Sequence, residues 1–157
     1  MVLDMIEIAQ QLSEDENHSE ALIYYKNILQ IEYDNVGIII DYGVTLQNLE
    51  LYHQALEVYD QALNLQPKNT SALINKGSVL HALGKYTDAI TCYNIVLGTD
   101  KNNPIALVYK GLCVAETGNI QLGIKYFKNA LSIDGEYELA KISMNTAQRI
   151  MKSKQAF

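Results

Sequence analysis

Apolar residues recur along this chain at helical spacing, and the arrangement repeats. Within residues 70–103, Leu73, Gly77 and Leu80 fall at i, i+4 and i+7. A second apolar stretch with the same kind of spacing follows after the turn residue Gly84. Each stretch predicts an amphipathic helix that needs a partner surface, so together they predict a helical hairpin.

Four sets of positions recur every 34 residues without insertion or deletion. The sets are Ala9, Gly43, Gly77 and Gly111; Ala21, Ala55, Ala89 and Gly123; Tyr25, Tyr59, Tyr93 and Phe127; and Leu29, Leu63, Leu97 and Leu131. A fixed period predicts stacked repeats, each burying its apolar face against its neighbours. We place the repeats at 2–35, 36–69, 70–103 and 104–137, within a single domain, 1–157.

Glycine inside the first helix of the second, third and fourth hairpins, at Gly43, Gly77 and Gly111, predicts close helix contact. It costs about 1 kcal/mol relative to alanine, so its recurrence needs a compensation. We expect the small residues of the second helix to form the other half of this contact. The recurring aromatic rings would fill the space between repeats.

The pattern resembles the tetratricopeptide repeat over residues 2–137. Within a 34-residue unit, the second repeat supplies the family's signature with Ile39, Gly43, Leu46, Ala55, Tyr59, Ala62 and Pro67. The resemblance implies an all-α fold, a right-handed α-solenoid of antiparallel helix pairs. It also implies a scaffold for protein–protein interaction.

Two departures from the family pattern concern the end of the first helix. The usual glycine is present as Gly84 and Gly118, but Glu16 and Glu50 take its place in the first two repeats. A side chain in a left-handed helix cap costs about 1 kcal/mol, so we expect local strain there.

The residues after the last repeat predict a capping helix over 138–152 and a loose tail over 153–157. Its apolar face contains Leu139, Ile142, Met144, Ala147 and Ile150. A repeat array needs such a helix to shield its final apolar surface.

Composition and charge exclude several classes of function. The chain is 48% hydrophobic, with a net charge of −6. Binding to nucleic acid or anionic membranes needs clustered cations, so we expect neither. We predict a cytoplasmic protein because no secretory signal precedes the repeats. Cys92 and Cys113 form no metal motif, so we predict buried thiols, no metal and no cofactor.

The resemblance implies a concave groove lined by positions 2, 5, 9 and 12 of the first helices. We expect the position-5 aliphatics to form a half-exposed strip, although packing into neighbouring repeats is an equal alternative. The candidate groove residues are Ile6, Gln10, Ile40, Asp41, Val44, Gln47, Ile74, Asn75, Ser78, His81, Val108, Tyr109 and Leu112. Such a surface favours an amphipathic helix or extended peptide with apolar anchors and basic flanks.

One known use of such grooves is not expected here. Family members that hold the C-terminal carboxylates of chaperones do so with lysine, asparagine and arginine at defined positions. The matching residues here are Ile6, Gln10, Asp41, Ser71 and Asn75, which supply no cation. We therefore predict no binding of such carboxylates.

Other interpretations stay open at this point. Ser78, His81 and Asp41 are the only catalytic set we can assemble, but no glycine-rich elbow or oxyanion hole accompanies them, so we predict no enzyme. The rival function is self-association into homo-oligomers through the groove or an open end face. A third alternative is a regulatory domain cut from a longer protein.

Overall fold

The computed structural model describes the backbone of residues 1–155 and the side chains of residues 1–154. Over this range the regular elements are all α-helices, which confirms the all-α prediction. In chain order they are α1 (Val2–Glu14), α2 (His18–Ile31), α3 (Val36–Asn48), α4 (Tyr52–Leu65), α5 (Thr70–Ala82), α6 (Tyr86–Thr99), α7 (Pro104–Glu116), α8 (Ile120–Ile133) and α9 (Glu138–Gln155). The first helix of each predicted repeat, and α9, begin 34 residues apart.

The helices group into two compact units, Met1–Val79 and a second from Leu80 onward. In the first unit α1 packs against α2, α2 against α3, and α3 against α4. In the second unit α7 packs against α6 and α8, and α9 packs against α8 and α7. Helix α5 contributes residues to both units. The predicted repeat boundaries and the single domain stay predictions.

The repeated glycines lie where an aromatic ring from the paired helix reaches the backbone. A Cβ added to Gly43 would be 2.5 Å from Cε1 of Tyr59, and one added to Gly111 would be 2.7 Å from Cε1 of Phe127. At Gly123, an added Cβ would be 2.9 Å from the carbonyl oxygen of Gly111. Real Cβ atoms do not approach that closely, so the predicted close contact is confirmed at these positions.

The turn between the paired helices is the same in all four hairpins. The second residue after each first helix has positive φ, at 61° for Glu16, 58° for Glu50, 71° for Gly84 and 100° for Gly118. The next amide then donates to a carbonyl five residues earlier, as from Leu51 to Leu46 at 2.9 Å. This is a Schellman cap, and the predicted left-handed glutamates are confirmed.

Asparagine caps α3, α5 and α7, the first helices of the second to fourth repeats, at the same period. The Oδ1 atoms of Asn35, Asn69 and Asn103 accept from the amides of Ile38, Ala72 and Ala106 at 3.3, 3.0 and 3.0 Å. Each bond satisfies an amide that the helix leaves unpaired at its start. The 34-residue spacing of these asparagines is visible in the sequence, but our sequence reasoning missed it.

The C-terminal helix is longer than predicted. Helix α9 runs to Gln155, so the expected loose tail is wrong for residues 153–155, and residues 156–157 lie outside the described residues. No proline or glycine follows Glu138, which leaves the helix without a stop signal. Ala140 and Ala147 are buried against the second unit, as a capping helix requires.

Replacing Glu50 by glycine is expected to stabilise the protein. Glycine adopts positive φ without the clash between Cβ and the backbone, so the free energy of unfolding should rise by about 1 kcal/mol. Urea denaturation of the wild type and Glu50→Gly measures this difference.

The matched control for this experiment is Glu50→Ala, which removes the charge but keeps Cβ. Its stability should stay near that of the wild type. If Glu50→Ala stabilised the protein as much as Glu50→Gly, repulsion between charges rather than backbone strain would be the cause.

Candidate functional site

The expected strip of half-exposed aliphatic residues is not continuous. Ile40 is only 9% exposed and Val108 is fully buried, so the predicted exposure is wrong at both positions. Val108 belongs to the core cluster of the second unit, together with Phe127 and Ala147. Position 5 is therefore a packing position in α7, which was the alternative that the sequence left open.

Polar side chains form much of the candidate groove surface in the first unit. The hydroxyl of Tyr59 donates to Gln47 Oε1 at 3.1 Å, and Gln47 Nε2 donates to Ser78 Oγ at 3.4 Å. Gln10 hydrogen-bonds the carboxylate of Asp41. We call Gln10, Asp41, Gln47 and Ser78 the polar ladder. Since its members offer both donors and acceptors, the polar ladder can bind groups of either kind.

The aliphatic candidates of the first unit accompany this ladder. Ile6, Val44 and Ile74 are half-buried, as is the polar candidate Asn75. Ile6 also packs against the buried cluster that contains Tyr25. The surface is thus mixed, with polar groups between partly covered aliphatic side chains, rather than the aliphatic groove that we predicted.

Asp41 is the charged group of the polar ladder. Burial raises the pKa of its carboxyl, while the hydrogen bond from Gln10 lowers it by a smaller amount. Desolvation is also the main cause of the raised pKa of the Tyr59 hydroxyl, and the nearby Asp41 charge raises it further. A half-buried carboxylate without a described cation beside it is costly, and a bound cation would relieve that cost.

In the first two repeats, residue 12 lies within hydrogen-bonding distance of the aromatic residue 24 of the same repeat. Ser13 Oγ lies 3.5 Å from the Tyr25 hydroxyl, and Gln47 accepts from Tyr59. In the fourth repeat, positions 12 and 24 are Ala115 and Phe127, so neither side chain has a polar group that needs a hydrogen-bond partner. Our sequence reasoning missed this pairing. In the printed sequence, position 12 is polar in the three repeats with tyrosine at position 24 and is alanine in the repeat with phenylalanine there.

The third repeat does not complete the pairing. His81 Nε2 and the Tyr93 hydroxyl are both buried, and neither has a hydrogen-bond partner among the described residues. The ring of Tyr93 stacks on Tyr109 with centroids 5.9 Å apart, and His81 lies against Tyr86 at 5.4 Å. Burial raises the pKa of the Tyr93 hydroxyl, so it stays protonated.

The second unit carries an apolar cavity of about 250 Å³ between α7, α8 and α9, which we call the C-terminal notch. Its lining is Leu112, Ala115, Glu116, Ile120, Phe127, Ile142, Ser143, Thr146, Ala147 and Ile150. Ile142 and Ile150 are 54% and 41% exposed. Of the predicted groove residues, only Leu112 reaches it.

The residues of the suggested catalytic set have other contacts. Ser78 accepts a hydrogen bond from Gln47, and Asp41 accepts one from Gln10. The ring of His81 lies against that of Tyr86. Within the described part of the chain, no three His, Cys, Asp or Glu side chains converge as metal ligands. None of the described helices combines the length and the apolar character that a membrane crossing requires. Both cysteines are buried, as predicted, and burial raises the pKa of Cys113 to about 11.

The sequence and the fold both match known proteins. The family model described as "Tetratricopeptide repeat" matches residues 43–104 and 82–138. The chain belongs to the tetratricopeptide-repeat family. Its all-α solenoid of helix pairs is therefore shared with proteins that are generally non-enzymatic scaffolds for protein–protein interaction. Among curated protein sequences, none matches this chain.

Solved tetratricopeptide-repeat structures share this fold at low sequence identity. MamA from Desulfovibrio magneticus is 23% identical, with a TM-score of 0.79 over 99% of this chain and 96% of that one. YrrB, described as having an unusual peptide-binding site, is 19% identical, with a TM-score of 0.73 over 97% and 78%. The first repeat domain of Spaghetti (RPAP3), bound to the HSP90 peptide SRMEEVD, is 14% identical, with a TM-score of 0.70 over 74% and 93%.

Tyr59 and Tyr93 occupy the same repeat position and are expected to respond differently to loss of their hydroxyl groups. Tyr59→Phe leaves Gln47 Oε1 without its donor and should lower the free energy of unfolding by about 1 kcal/mol. Tyr93→Phe removes an unpaired buried hydroxyl, so it should be neutral or stabilising by up to about 1 kcal/mol. Chemical denaturation measures both, and each variant is the control for the other. An equal loss in the two variants would contradict the pairing described here.

Asp41→Asn is expected to stabilise the protein at neutral pH. Because burial raises the pKa of Asp41 above its unfolded value, the folded protein holds this proton more tightly than the unfolded chain does. The ionised carboxylate therefore costs stability above the folded pKa, and that cost disappears below the ordinary pKa of aspartate. The advantage of Asp41→Asn should shrink as the pH falls through this window.

Urea denaturation between about pH 7 and about pH 4 measures this effect. The control is Glu57→Gln, which removes one negative charge from an exposed position on α4. A constant stability difference over the whole pH range would show that the Asp41 charge is not destabilising.

Proposed function

We propose that this chain is a non-enzymatic scaffold that binds a peptide segment of a partner protein along the polar ladder of its first unit. The observation that carries the proposal is the half-buried Asp41 carboxylate, which has Gln10 as its hydrogen-bond partner. A carboxylate kept partly desolvated at the cost of stability is typical of binding surfaces. Its natural complement is a lysine or arginine of the ligand.

The rest of the surface favours a peptide over a small molecule. Gln47 and Ser78 present amide and hydroxyl groups that can bond peptide backbone, while Val44 and Ile74 provide partly exposed apolar contacts. The first unit contains twelve carboxylates and three lysines, a net charge of −9. Attraction between this charge and a basic segment accelerates encounter and selects against acidic ligands.

Binding of the HSP90 peptide SRMEEVD, to which the Spaghetti (RPAP3) domain is bound, is not proposed for this chain. The positions at which the family resemblance implies carboxylate-holding residues are Ile6, Gln10, Asp41, Ser71 and Asn75, none of which is a cation. An Asp41 carboxylate beside an acidic peptide would repel it. We instead place this chain with proteins whose grooves accept basic segments.

The test begins with a phage library of random peptides selected on the immobilised full chain. We expect the selected peptides to contain lysine or arginine next to an apolar residue. Synthetic copies are then titrated by fluorescence anisotropy against wild type, Asp41→Asn and Gln47→Ala. Loss of the Asp41 charge should weaken binding about tenfold or more, because a partly desolvated charge pair loses one member.

Two controls make this test decisive. Glu57→Gln has the same net charge as Asp41→Asn but lies on the exposed face of α4, so it should leave affinity unchanged. The peptide SRMEEVD should bind no tighter than about 1 mM, which corresponds to roughly 4 kcal/mol. Selected peptides that bind all variants equally, or tight binding of SRMEEVD, would contradict the proposal.

A further inference from the structure

Charge is divided unequally between the two units. The first unit has a net charge of −9, whereas the second has six carboxylates and nine lysine or arginine residues, a net charge of +3. The two values sum to the net charge of the whole chain, −6. Opposite charges on the two units favour contact between the first unit of one molecule and the second unit of another.

The division is sharpest at the two terminal helices. No lysine or arginine occurs before Lys26, and six carboxylates precede it. No carboxylate follows Glu138, while Lys141, Arg149, Lys152 and Lys154 do. Helix α1 therefore presents an acidic surface, and α9 presents a basic surface formed by the four cations just named. Of these α9 cations, Lys141 pairs with Glu136 of the same unit at 2.8 Å, whereas no ion pair within the described residues is formed by Arg149, Lys152 or Lys154.

Both terminal helices also expose apolar side chains beside these charges. On α1, Leu3 is 74% exposed and Ile8 is 43% exposed, and Glu7 lies between them on the helix surface. On α9, Ile142 and Ile150 are exposed at the C-terminal notch. The notch is smaller than the clefts of roughly 300–1,000 Å³ that hold small molecules, so it suits one or two aliphatic side chains.

We infer that the C-terminal notch of one molecule receives helix α1 of a second copy. Leu3 or Ile8 would fill the apolar cavity between α7 and α9, and Glu7 and Glu14 would approach Arg149 and Lys152. Arg149 is well placed because it shares a surface depression with Thr146 and Ile150. Glu116 is the one charged residue among the notch residues, and Arg149 and Lys152 lie on α9, the helix that supplies half of the notch lining.

The contact joins two different surfaces, so it is heterologous. A molecule whose α1 is bound in the notch of a second copy still has its own notch free, so a further copy can add there. The expected result is a mass that rises with protein concentration rather than a closed two-fold dimer. Because the charges lie at the surface, the association should weaken as salt is added.

The test is a charge exchange in the full chain, followed by sedimentation velocity at low salt. Asp4 pairs with the N-terminal ammonium at 2.7 Å, so the acidic partners to reverse are Glu7 and Glu14. We expect Glu7→Lys/Glu14→Lys to weaken association about tenfold or more, and Arg149→Glu/Lys152→Glu to do the same. The chain that carries all four changes should associate again, because its two surfaces are complementary with reversed signs.

An apolar variant and a matched control complete the experiment. Ile142→Asp should also prevent association, since it places a carboxylate in the notch. Glu20→Lys/Glu57→Lys has the same net charge as the α1 variant but alters exposed positions on α2 and α4, so its association should match the wild type.

Each outcome decides the inference. A wild type that stays monomeric up to about 1 mM overturns it and leaves the notch to a different protein. Association that the four-residue exchange fails to restore, or that Ile142→Asp does not affect, overturns it as well. The groove variant Asp41→Asn should associate like the wild type, so this test and the peptide-binding test can fail independently.

Discussion

Contact between an aromatic ring and a glycine backbone determines how the two helices of a hairpin fit together. Tyr59 occupies the space that a side chain at Gly43 would need, and Phe127 does the same at Gly111. The ring fills a volume that helix geometry alone would leave empty, and this burial offsets the roughly 1 kcal/mol cost of glycine in a helix. Because this contact joins residues 16 apart within one hairpin at both Gly43 and Gly111, a residue inserted between the glycine and its ring would disrupt it.

The contact between ring and glycine restricts only the residues that form it, so the residue types at other repeat positions can vary. Glu16 and Glu50 hold the left-handed turn that Gly84 and Gly118 hold without strain, so the cap survives substitution at a moderate cost. The residue at position 12 varies with its neighbour: it is polar where position 24 carries a hydroxyl group and apolar where position 24 is phenylalanine. The Tyr59 hydroxyl donates a hydrogen bond to Gln47, and the side-chain amide of Gln47 donates one to Ser78. A packing residue of one repeat is thus hydrogen-bonded to the polar ladder.

The sequence predicted most of the fold but only part of the site. Helix pairs, glycine contacts and left-handed caps follow from local periodicity and backbone sterics, which each repeat displays independently. Exposure does not follow in this way, because it depends on what a neighbouring helix covers. Val108 was expected at a surface, yet α8 and α9 contribute to the cluster that buries it. The extension of α9 to Gln155 was predictable in principle, because no proline or glycine follows Glu138 to end the helix.

Surface charge is the property of this chain that the repeat pattern constrains least. Core positions recur with the same residue types, but the carboxylates concentrate before Val79 and the cations after it. Repulsion among the charges of one unit opposes its compact state, so a division of this kind has a cost in stability. A partner of opposite charge removes that cost. In both of our proposals a bound partner supplies the opposite charge: a basic peptide at Asp41, and the acidic helix α1 of a second copy at the cations of α9.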